Sequence, residues 1–198
     1  MPPRLLRPPV AADLPGLYRV CLETGHPGED LADGRNPELL GHVYAGPYAV
    51  ADPALCTAVV DPLGVAGYLL ATADTAAFEA WTERSWWPAL REQYPVGGSE
   101  HPSDAATIAL LHAPPTSPVE LLDSHPAHLH IDLLDRVQGT GLGRTLVDDL
   151  CARLAERRVR GVHLGVSTDN AHAIGFYAHL GFTEALRTPD TAWMVRSW

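Results

Sequence analysis

The sequence predicts a mixed α/β sheet protein, and two observations carry that prediction. Short apolar runs of strand length occur in both halves of the chain, among them Ala127–Leu134 and Val162–Ser167. Between these two runs, Leu142–Arg157 has apolar residues at helical spacing and charged residues on the opposite side. Strands interleaved with helices in this way are typical of an α/β or α+β protein with a mixed sheet.

The first part of the chain predicts two helices and three strands. The helices are expected where apolar residues recur every three or four positions, and the strands where they form short runs. Asp-Pro-Leu-Gly separates the last two runs and indicates a hairpin. In chain order, the elements are a strand at Arg4–Arg7, helices at Ala12–Glu23 and Pro37–Tyr44, and strands at Ala54–Val60 and Val65–Ala71.

The middle of the chain is less regular. Asp74–Gln93 is helix-like, carries three tryptophans and is interrupted at Pro88. Pro95–Pro126 is rich in proline and glycine, which predicts a long loop enclosing a short strand at Thr107–Leu111.

Clear patterning returns towards the end of the chain. Gln138–Gly143 is a glycine-rich turn, and Asn170–Leu180 has helical character. Gly181 follows in the position where helices often end in left-handed geometry. Thr191–Arg196 is predicted to be a final strand.

Composition excludes several functional classes. The chain has 198 residues, which suits one domain, and a net charge of −10. All 14 basic residues are arginine, so Schiff-base lysine, Walker-A and Ser–Lys chemistry are excluded. Scattered arginines on an acidic chain also argue against nucleic-acid binding.

The lengths of the apolar runs indicate where in the cell the protein is expected. None approaches the length of a membrane span, and the first thirteen residues lack the apolar run of a signal peptide. Three widely spaced cysteines, Cys21, Cys56 and Cys151, predict no disulfide framework. We therefore expect a cytoplasmic protein that does not bind membranes.

The turn Gln138–Gly143 has the arrangement of an anion site. A strand leads into the turn and a helix follows, so free backbone N–H groups and the helix dipole meet there. Arg144 stands where the Rossmann pattern needs its third glycine, and the GK[ST] of a P-loop is absent. A tight strand–helix turn without a ligand is the alternative.

These residues resemble the GCN5-related N-acetyltransferase (GNAT) superfamily. Gln138–Gly143 matches the superfamily's Q/R-x-x-G-x-G/A signature, and Leu129–Leu133 resembles its fourth strand. Asn170–Phe182 resembles the N-x-x-A-x-x-F-Y-x-x-L-G-F segment after the fifth strand. The stretch AHLHIDLLDRVQGTGLGR is also similar to bacterial acetyltransferases that resemble the C-terminal domain of animal O-GlcNAc hydrolases.

The resemblance implies a fold and a reaction. The fold is a central, mostly antiparallel twisted sheet flanked by helices, with splayed fourth and fifth strands. The chain would be one domain over residues 1–198, with an insertion at about 74–126. The reaction is acetyl transfer from acetyl-coenzyme A to a primary amine of a small molecule or protein. A non-catalytic acyl-coenzyme A-binding or partner-binding module on the same fold is the alternative.

The resemblance also assigns the cofactor site. The phosphates would lie on the turn and beside arginines such as Arg136 or Arg144, as a positive island on an acidic protein. The pantetheine arm would pair with the fourth strand like an added strand. Asn170 would contact the cofactor, although it also suits a helix N-cap. The predicted cofactor-binding residues are Ile131, Asp132, Leu133, Gln138, Gly139, Thr140, Gly141, Leu142, Gly143, Arg144, Asn170 and Tyr177.

The candidate catalytic residues are Tyr177, Asp132 and His130. Tyr177 matches the family's tyrosine that protonates the leaving thiolate. Strand alternation puts His128, His130, Asp132 and Leu134 on one face, where His130 or Asp132 could take the amine proton. The alternatives are buried structural hydrogen-bonding groups or a His-x-His-x-Asp metal site, and we expect no metal.

The acceptor has no motif of its own. We expect its site in the loops Gly25–Asn36 and Asp74–Pro126, because acceptor residues in this family come from the N-terminal helices and variable loops. The predicted partners are acetyl-coenzyme A and an unidentified amine, and the predicted assembly is a monomer or a homodimer.

Overall fold

The protein is described by a computed structural model that covers residues 4–198. Met1–Pro3, which begin the stretch considered for a signal peptide, lie outside the described residues. The strands form a single seven-stranded sheet in the order β1-β2-β3-β4-β5-β7-β6. Their bounds are β1 Leu5–Arg7, β2 Thr57–Asp61, β3 Gly64–Thr72, β4 Ala127–Leu133, β5 Gly161–Ser167, β6 Thr183–Arg187 and β7 Thr191–Ser197.

The sheet is antiparallel everywhere except between β4 and β5. These two strands are parallel and pair at only two positions, Ala127 with Val162 and His128 with His163. Beyond His128 the strands diverge, while β4 stays paired with β3 as far as Leu133. The predicted mostly antiparallel sheet with splayed fourth and fifth strands is confirmed.

Nine helices flank the sheet within the described residues. Three short 3-10 turns accompany them, at Ala11–Asp13, Pro53–Leu55 and Asp135–Val137. The helices are α1 Leu14–Gly25, α2 Leu39–Tyr44, α3 Gly46–Ala51, α4 Thr75–Ser85, α5 Trp87–Gln93, α6 Pro102–His112, α7 Val119–Leu122, α8 Leu142–Glu156 and α9 Ala171–His179. None of those in residues 4–198 is long and apolar enough to cross a membrane.

The core lies on both faces of the sheet. One cluster joins the sheet to α8 and includes Leu129 and Leu146, and the other joins it to α1 and α3 and includes Tyr48 and Leu134. The alternation predicted along β4 is therefore confirmed, because Leu129 and Leu134 lie in opposite clusters. Burial of apolar area on both faces, worth about 25 cal/mol per Å², holds β4 in this register.

The middle of the chain differs from its prediction. The strand predicted at Thr107–Leu111 is wrong, because these residues lie in α6, and the long loop predicted around it contains α6 and α7. Ile108 and Leu111 are both buried against α2 and α5, which is the contact that a helical spacing of three residues allows. The prediction treated a short apolar run as a strand, and periodicity alone does not separate the two for so short a run.

Two elements were missed. Helix α3 is only six residues long and begins Gly-Pro, which gave no helical periodicity to detect. Strand β6 is exposed along its whole length and carries an ion pair between Glu184 and Arg187, so no apolar alternation marks it. Tertiary pairing with β7 forms this strand.

Candidate active site

The glycine-rich turn leads from β4 into α8 as predicted. Gly139 and Gly141 have φ angles of 68° and 78°, which residues with a Cβ rarely adopt. A Cβ built on either residue would meet nothing within 4 Å. The first N–H of α8 bonded inside the helix is that of Thr145, to the Gly141 carbonyl, so the N–H groups of the first turn stay available to an anion.

Glycine at position 143 is explained by packing rather than by its backbone conformation. It is buried, and a Cβ there would lie 2.8 Å from Cζ of Phe176 on α9. Its missing side chain therefore makes room for the contact between α8 and α9, rather than for a ligand.

Three arginines surround the turn. Arg136 is 2.8 Å from the Asp61 carboxylate, which neutralises much of its charge. Arg144 is exposed and donates to the His179 carbonyl at 3.1 Å, and within residues 4–198 it has no carboxylate partner. Arg4 donates to the Thr140 hydroxyl at 2.9 Å and was missed, because it lies far away in sequence and only β1 carries it to the turn. Of the two arginines predicted for the phosphates, Arg144 has its charge available.

The divergence of β4 and β5 leaves one edge of β4 without a strand partner from Leu129 onwards. Ile131, Asp132 and Leu133, the residues predicted to contact the pantetheine arm, lie along this edge. Leu134 donates its N–H to Ala66, so strand alternation turns the backbone groups of Asp132 towards β3 and those of Ile131 and Leu133 towards the β5 side. The Leu133 carbonyl accepts from the Gln138 side chain at 2.7 Å, so among residues 4–198 the Ile131 groups and the Leu133 N–H are available to an extended ligand rich in amides.

Tyr177 projects from α9 into the core cluster and is only 8% exposed. Its ring packs edge-to-face with Phe176 and Phe182, and its hydroxyl has no hydrogen-bond partner among residues 4–198. Burial, and secondarily the nearby Asp132 carboxylate, raises the pKa of Tyr177. The hydroxyl therefore keeps its proton at neutral pH.

Asn170 caps α9. Its side-chain oxygen accepts a hydrogen bond from the Ala173 N–H at 2.9 Å. This is the N-cap arrangement that the sequence also suggested, and within residues 4–198 the amide NH₂ of Asn170 has no partner.

Asp132 is paired across the sheet. Tyr68 lies directly opposite on β3 and donates its hydroxyl to the Asp132 carboxylate at 2.5 Å. Burial raises the pKa of Asp132, and the Tyr68 hydrogen bond opposes that rise. A carboxyl group with a raised pKa exchanges protons closer to neutral pH than an exposed one.

The two histidines of β4 share one partner. Tyr48 of α3 places its hydroxyl 2.7 Å from Nε2 of His128 and 3.0 Å from Nε2 of His130. Burial lowers the pKa of His128 well below its usual value and that of His130 to about 4, so both rings are neutral at pH 7. Sequence reasoning missed Tyr48, because it lies on the short helix that carried no signal.

A cavity of about 560 Å³ lies beside these histidines, where β4 and β5 diverge. Helix α4 and the segment 114–117 form its far side, so the predicted region Asp74–Pro126 contributes directly. Two carboxylates of α4 line it: Glu83 is paired with Arg91, and the single partner of the Glu79 carboxylate in the described part of the chain is the Ser117 N–H at 2.9 Å. Gly25–Asn36 is not part of this lining. Its Pro27 and Gly28 line a second cavity, of about 410 Å³, beside Arg136 and Gln138.

A metal centre finds no support in the residues that the structure describes. Among them, no three His, Cys, Asp or Glu side chains are grouped so as to hold a metal ion. His128, His130 and Asp132 are instead engaged with tyrosine hydroxyls.

Comparison with known proteins agrees with this geometry. A crystal structure described as SsHAT is 35% identical, covers 99% of this chain and 98% of its own, and superposes with a TM-score of 0.87. Protein O-GlcNAcase of Rattus norvegicus is 26% identical over 182 residues, which are 90% of this chain but 20% of that protein. The chain thus spans about a fifth of the length of the curated relatives it matches.

A more distant structure shares the fold alone. It is yncA from Salmonella typhimurium with its cofactor acetyl-coenzyme A, at 14% identity and a TM-score of 0.57 over 98% of this chain and 94% of that chain. The model of the Acetyltransferase (GNAT) family matches residues 54–182, well over half of the chain. The protein described here is therefore a member of the Acetyltransferase (GNAT) family.

Proposed function

We propose that this protein transfers an acetyl group from acetyl-coenzyme A to a primary amine. One observation carries the proposal: β4, whose pairing with β5 ends at His128, leads into the glycine-rich turn and also contributes two histidines to the cavity lining. A donor carrying a diphosphate and an acceptor carrying an amine can therefore meet at the same strand. The proposal treats residues 1–198 as one domain in which about 74–126 form an insertion.

The cofactor proposal rests on the turn, the free strand edge and the family. Backbone N–H groups of Gly139–Arg144 hold the diphosphate, because the Gln138 N–H is already donated to the Asp135 carbonyl, and Arg144 supplies positive charge. The edge at Ile131 and Leu133, with Asp132 between them, pairs with the pantetheine amides, and the amide NH₂ of Asn170 donates to the cofactor. Acetyl-coenzyme A supplies the acetyl thioester.

Three groups of this chain would carry the chemistry. One N–H of the β4 edge stabilises the negative charge that develops on the thioester oxygen. His130 or Asp132 takes the proton that the amine nitrogen loses as its bond to the acetyl carbon forms. Tyr177, which keeps its proton at neutral pH, donates to the sulfur as the carbon–sulfur bond breaks.

The acceptor would occupy the cavity between β4, β5 and α4. Its histidine side lies at the point where the strands diverge, and Glu79 adds a negative charge that attracts an ammonium group. The class of primary amine, on a small molecule or on a protein, is left to the assay.

The test is direct. Purified protein is titrated with acetyl-coenzyme A in a calorimeter, and thiol release is followed with a panel of primary amines. We expect saturable binding and amine-dependent release of free thiol. Absence of binding would overturn the cofactor proposal, and binding without transfer to any amine would support the non-catalytic module instead.

A further inference from the structure

An unbroken hydrogen-bond chain runs from the start of β4 into the cavity. The Thr75 hydroxyl lies 2.7 Å from the Pro126 carbonyl and 2.8 Å from Nδ1 of His128. Nε2 of His128 lies 2.7 Å from the Tyr48 hydroxyl, which is also 3.0 Å from Nε2 of His130. Four hydrogen bonds therefore connect a carbonyl oxygen to the second histidine.

The carbonyl fixes the direction of every bond in this chain. It can only accept, and two oxygens 2.7 Å apart repel unless a hydrogen lies between them, so the Thr75 hydroxyl donates to Pro126. The Thr75 oxygen must then accept from N–H at Nδ1 of His128. A neutral histidine carries one N–H, so Nε2 of His128 accepts from the Tyr48 hydroxyl.

Tyr48 sets the position of the proton on the last ring, that of His130. The single hydrogen of the Tyr48 hydroxyl points to His128, so the Tyr48 oxygen accepts from N–H at Nε2 of His130. The neutral ring of His130 then has its lone pair at Nδ1. Within residues 4–198 this nitrogen has no hydrogen-bond partner, and the His130 side chain is part of the cavity lining.

We propose that this row of hydrogen bonds makes His130 the general base of the transferase, with Nδ1 as the atom that takes the amine proton. Thr75, His128 and Tyr48 are then positioning residues that hold the tautomer. The inference rests on the proposed acetyl transfer and identifies the base within it.

The lining of the cavity favours His130 over Asp132 as the general base. His130 is part of the cavity lining, whereas Asp132 is not. Asp132 is instead engaged by Tyr68 and lies close enough to Tyr177 to influence its pKa. The two groups therefore belong to opposite sides of the reaction, with His130 beside the acceptor and Asp132 beside the strand edge assigned to the donor.

An acceptor that enters as an ammonium ion gives its first proton to water, and Tyr177 regains from water the proton that it donates to the sulfur. As the nitrogen–carbon bond forms, the proton on nitrogen moves to Nδ1 of His130, and the N–H at Nε2 remains bonded to Tyr48. The imidazolium then releases that proton to water in the cavity. Because the pKa of His130 is lowered to about 4, the ring returns to its neutral form before the next turnover.

Nitrogen NMR of the full chain with ¹⁵N-labelled histidine tests the tautomers without any turnover. We expect His130 with its proton on Nε2 and His128 with its proton on Nδ1, each assigned with a His→Gln variant. The opposite tautomer at His130 would overturn the proposal. Because this readout needs no acetyl transfer, it stands apart from a failure of the proposed function.

Matched variants test the positioning roles. His130→Gln should lower kcat about 100-fold or more, and Tyr48→Phe should lower it about 10-fold, since the ring stays but its oxygen is lost. Thr75→Val should also lower kcat, and Thr75→Ser should restore it. Binding of acetyl-coenzyme A should be unchanged in all four.

The control is Tyr94→Phe, which removes a hydroxyl that accepts from the Gln93 side chain and has no other partner among residues 4–198. It should match the parent protein. If Asp132→Asn abolishes transfer while His130→Gln retains it, Asp132 is the base and the proposal is wrong. A Tyr48→Phe variant with the parent kcat and the parent His130 tautomer would equally contradict the positioning role.

Discussion

Two regions of this molecule contrast in how they are built. The donor side, which is the region from β4 through α9 proposed to hold acetyl-coenzyme A, is contiguous in sequence, and its turn, strand edge and tyrosine all lie within Leu129–Phe182. The acceptor side, which is the cavity proposed to hold the amine, takes its groups from α3, α4, the segment 114–117 and β4, which tertiary packing brings together. A contiguous site leaves a pattern in the sequence, whereas an assembled one leaves isolated residues.

The largest expected effect falls on the donor side. Tyr177→Phe should lower kcat about 100-fold, because the variant keeps the packed ring but loses the proton for the leaving thiolate. The dissociation constant for acetyl-coenzyme A should stay within about twofold of the parent value, since the turn is untouched. Thiol-release kinetics and calorimetry measure the two quantities. An unchanged kcat would mean that the donor side binds without supplying an acid.

The next effect concerns the acceptor side and depends on pH. Burial lowers the folded pKa of His128, His130 and His163, so unfolding takes up protons below pH 6.5. Their stabilisation is complete above pH 6.5 and is lost as the pH falls towards about 4, the folded value for His130. Asp132 opposes this trend, because its pKa is raised on folding.

Burial also lowers the pKa of His42 and His125, so five histidines oppose the one carboxyl group, and the free energy of unfolding should fall on acidification. His130 alone should contribute on the order of 2 kcal/mol between about pH 7 and pH 5. Urea unfolding at several pH values measures this, and His130→Gln should flatten the dependence. His172→Gln, at an exposed position on α9, should leave it unchanged. A parent protein equally stable at both pH values would contradict the burial of neutral histidines.

A third prediction tests the packing contact between α8 and α9 on the donor side. Gly143→Ala should destabilise the protein by about 1–3 kcal/mol, because the new Cβ would lie against Phe176. Gly175→Ala is the matched control, since a Cβ there meets nothing within 4 Å. In a helix that change should be neutral or stabilising by up to about 1 kcal/mol. Thermal unfolding compares the pair, and equal melting temperatures would show that α8 and α9 tolerate separation.

The smallest effect is electrostatic. The dissociation constant for acetyl-coenzyme A should rise about threefold between roughly 0.05 and 0.5 M salt, because Arg4 and Arg144 act on the phosphates across solvent. Arg144→Gln should weaken binding and reduce that dependence. Arg158→Gln, which changes a charge away from the turn, is the control. Binding that does not respond to salt would show that backbone N–H groups alone hold the phosphates.

The contrast also explains which elements could be predicted. The alternation along β4 was sufficient to place His130 and Asp132 on one face, because strand geometry alone sets that pattern. The helix α6 was mistaken for a loop with a strand, since its four-residue apolar run fits either structure until Ile108 and Leu111 pack against α2 and α5. Strand β6 has no internal signal and exists through its pairing with β7.

The sequence by itself determined the family, the glycine-rich turn between β4 and α8 and the shared face of His130 and Asp132 on β4, because each depends on residues near one another in the chain. Only the tertiary structure brought Arg4 to the turn, paired Arg136 with Asp61 and set Tyr48 between two histidines. The physical reason is the sequence separation over which each effect acts. Strand and helix periodicity act over a few residues, whereas the direction of a hydrogen bond and the charge left on an arginine depend on partners that packing supplies.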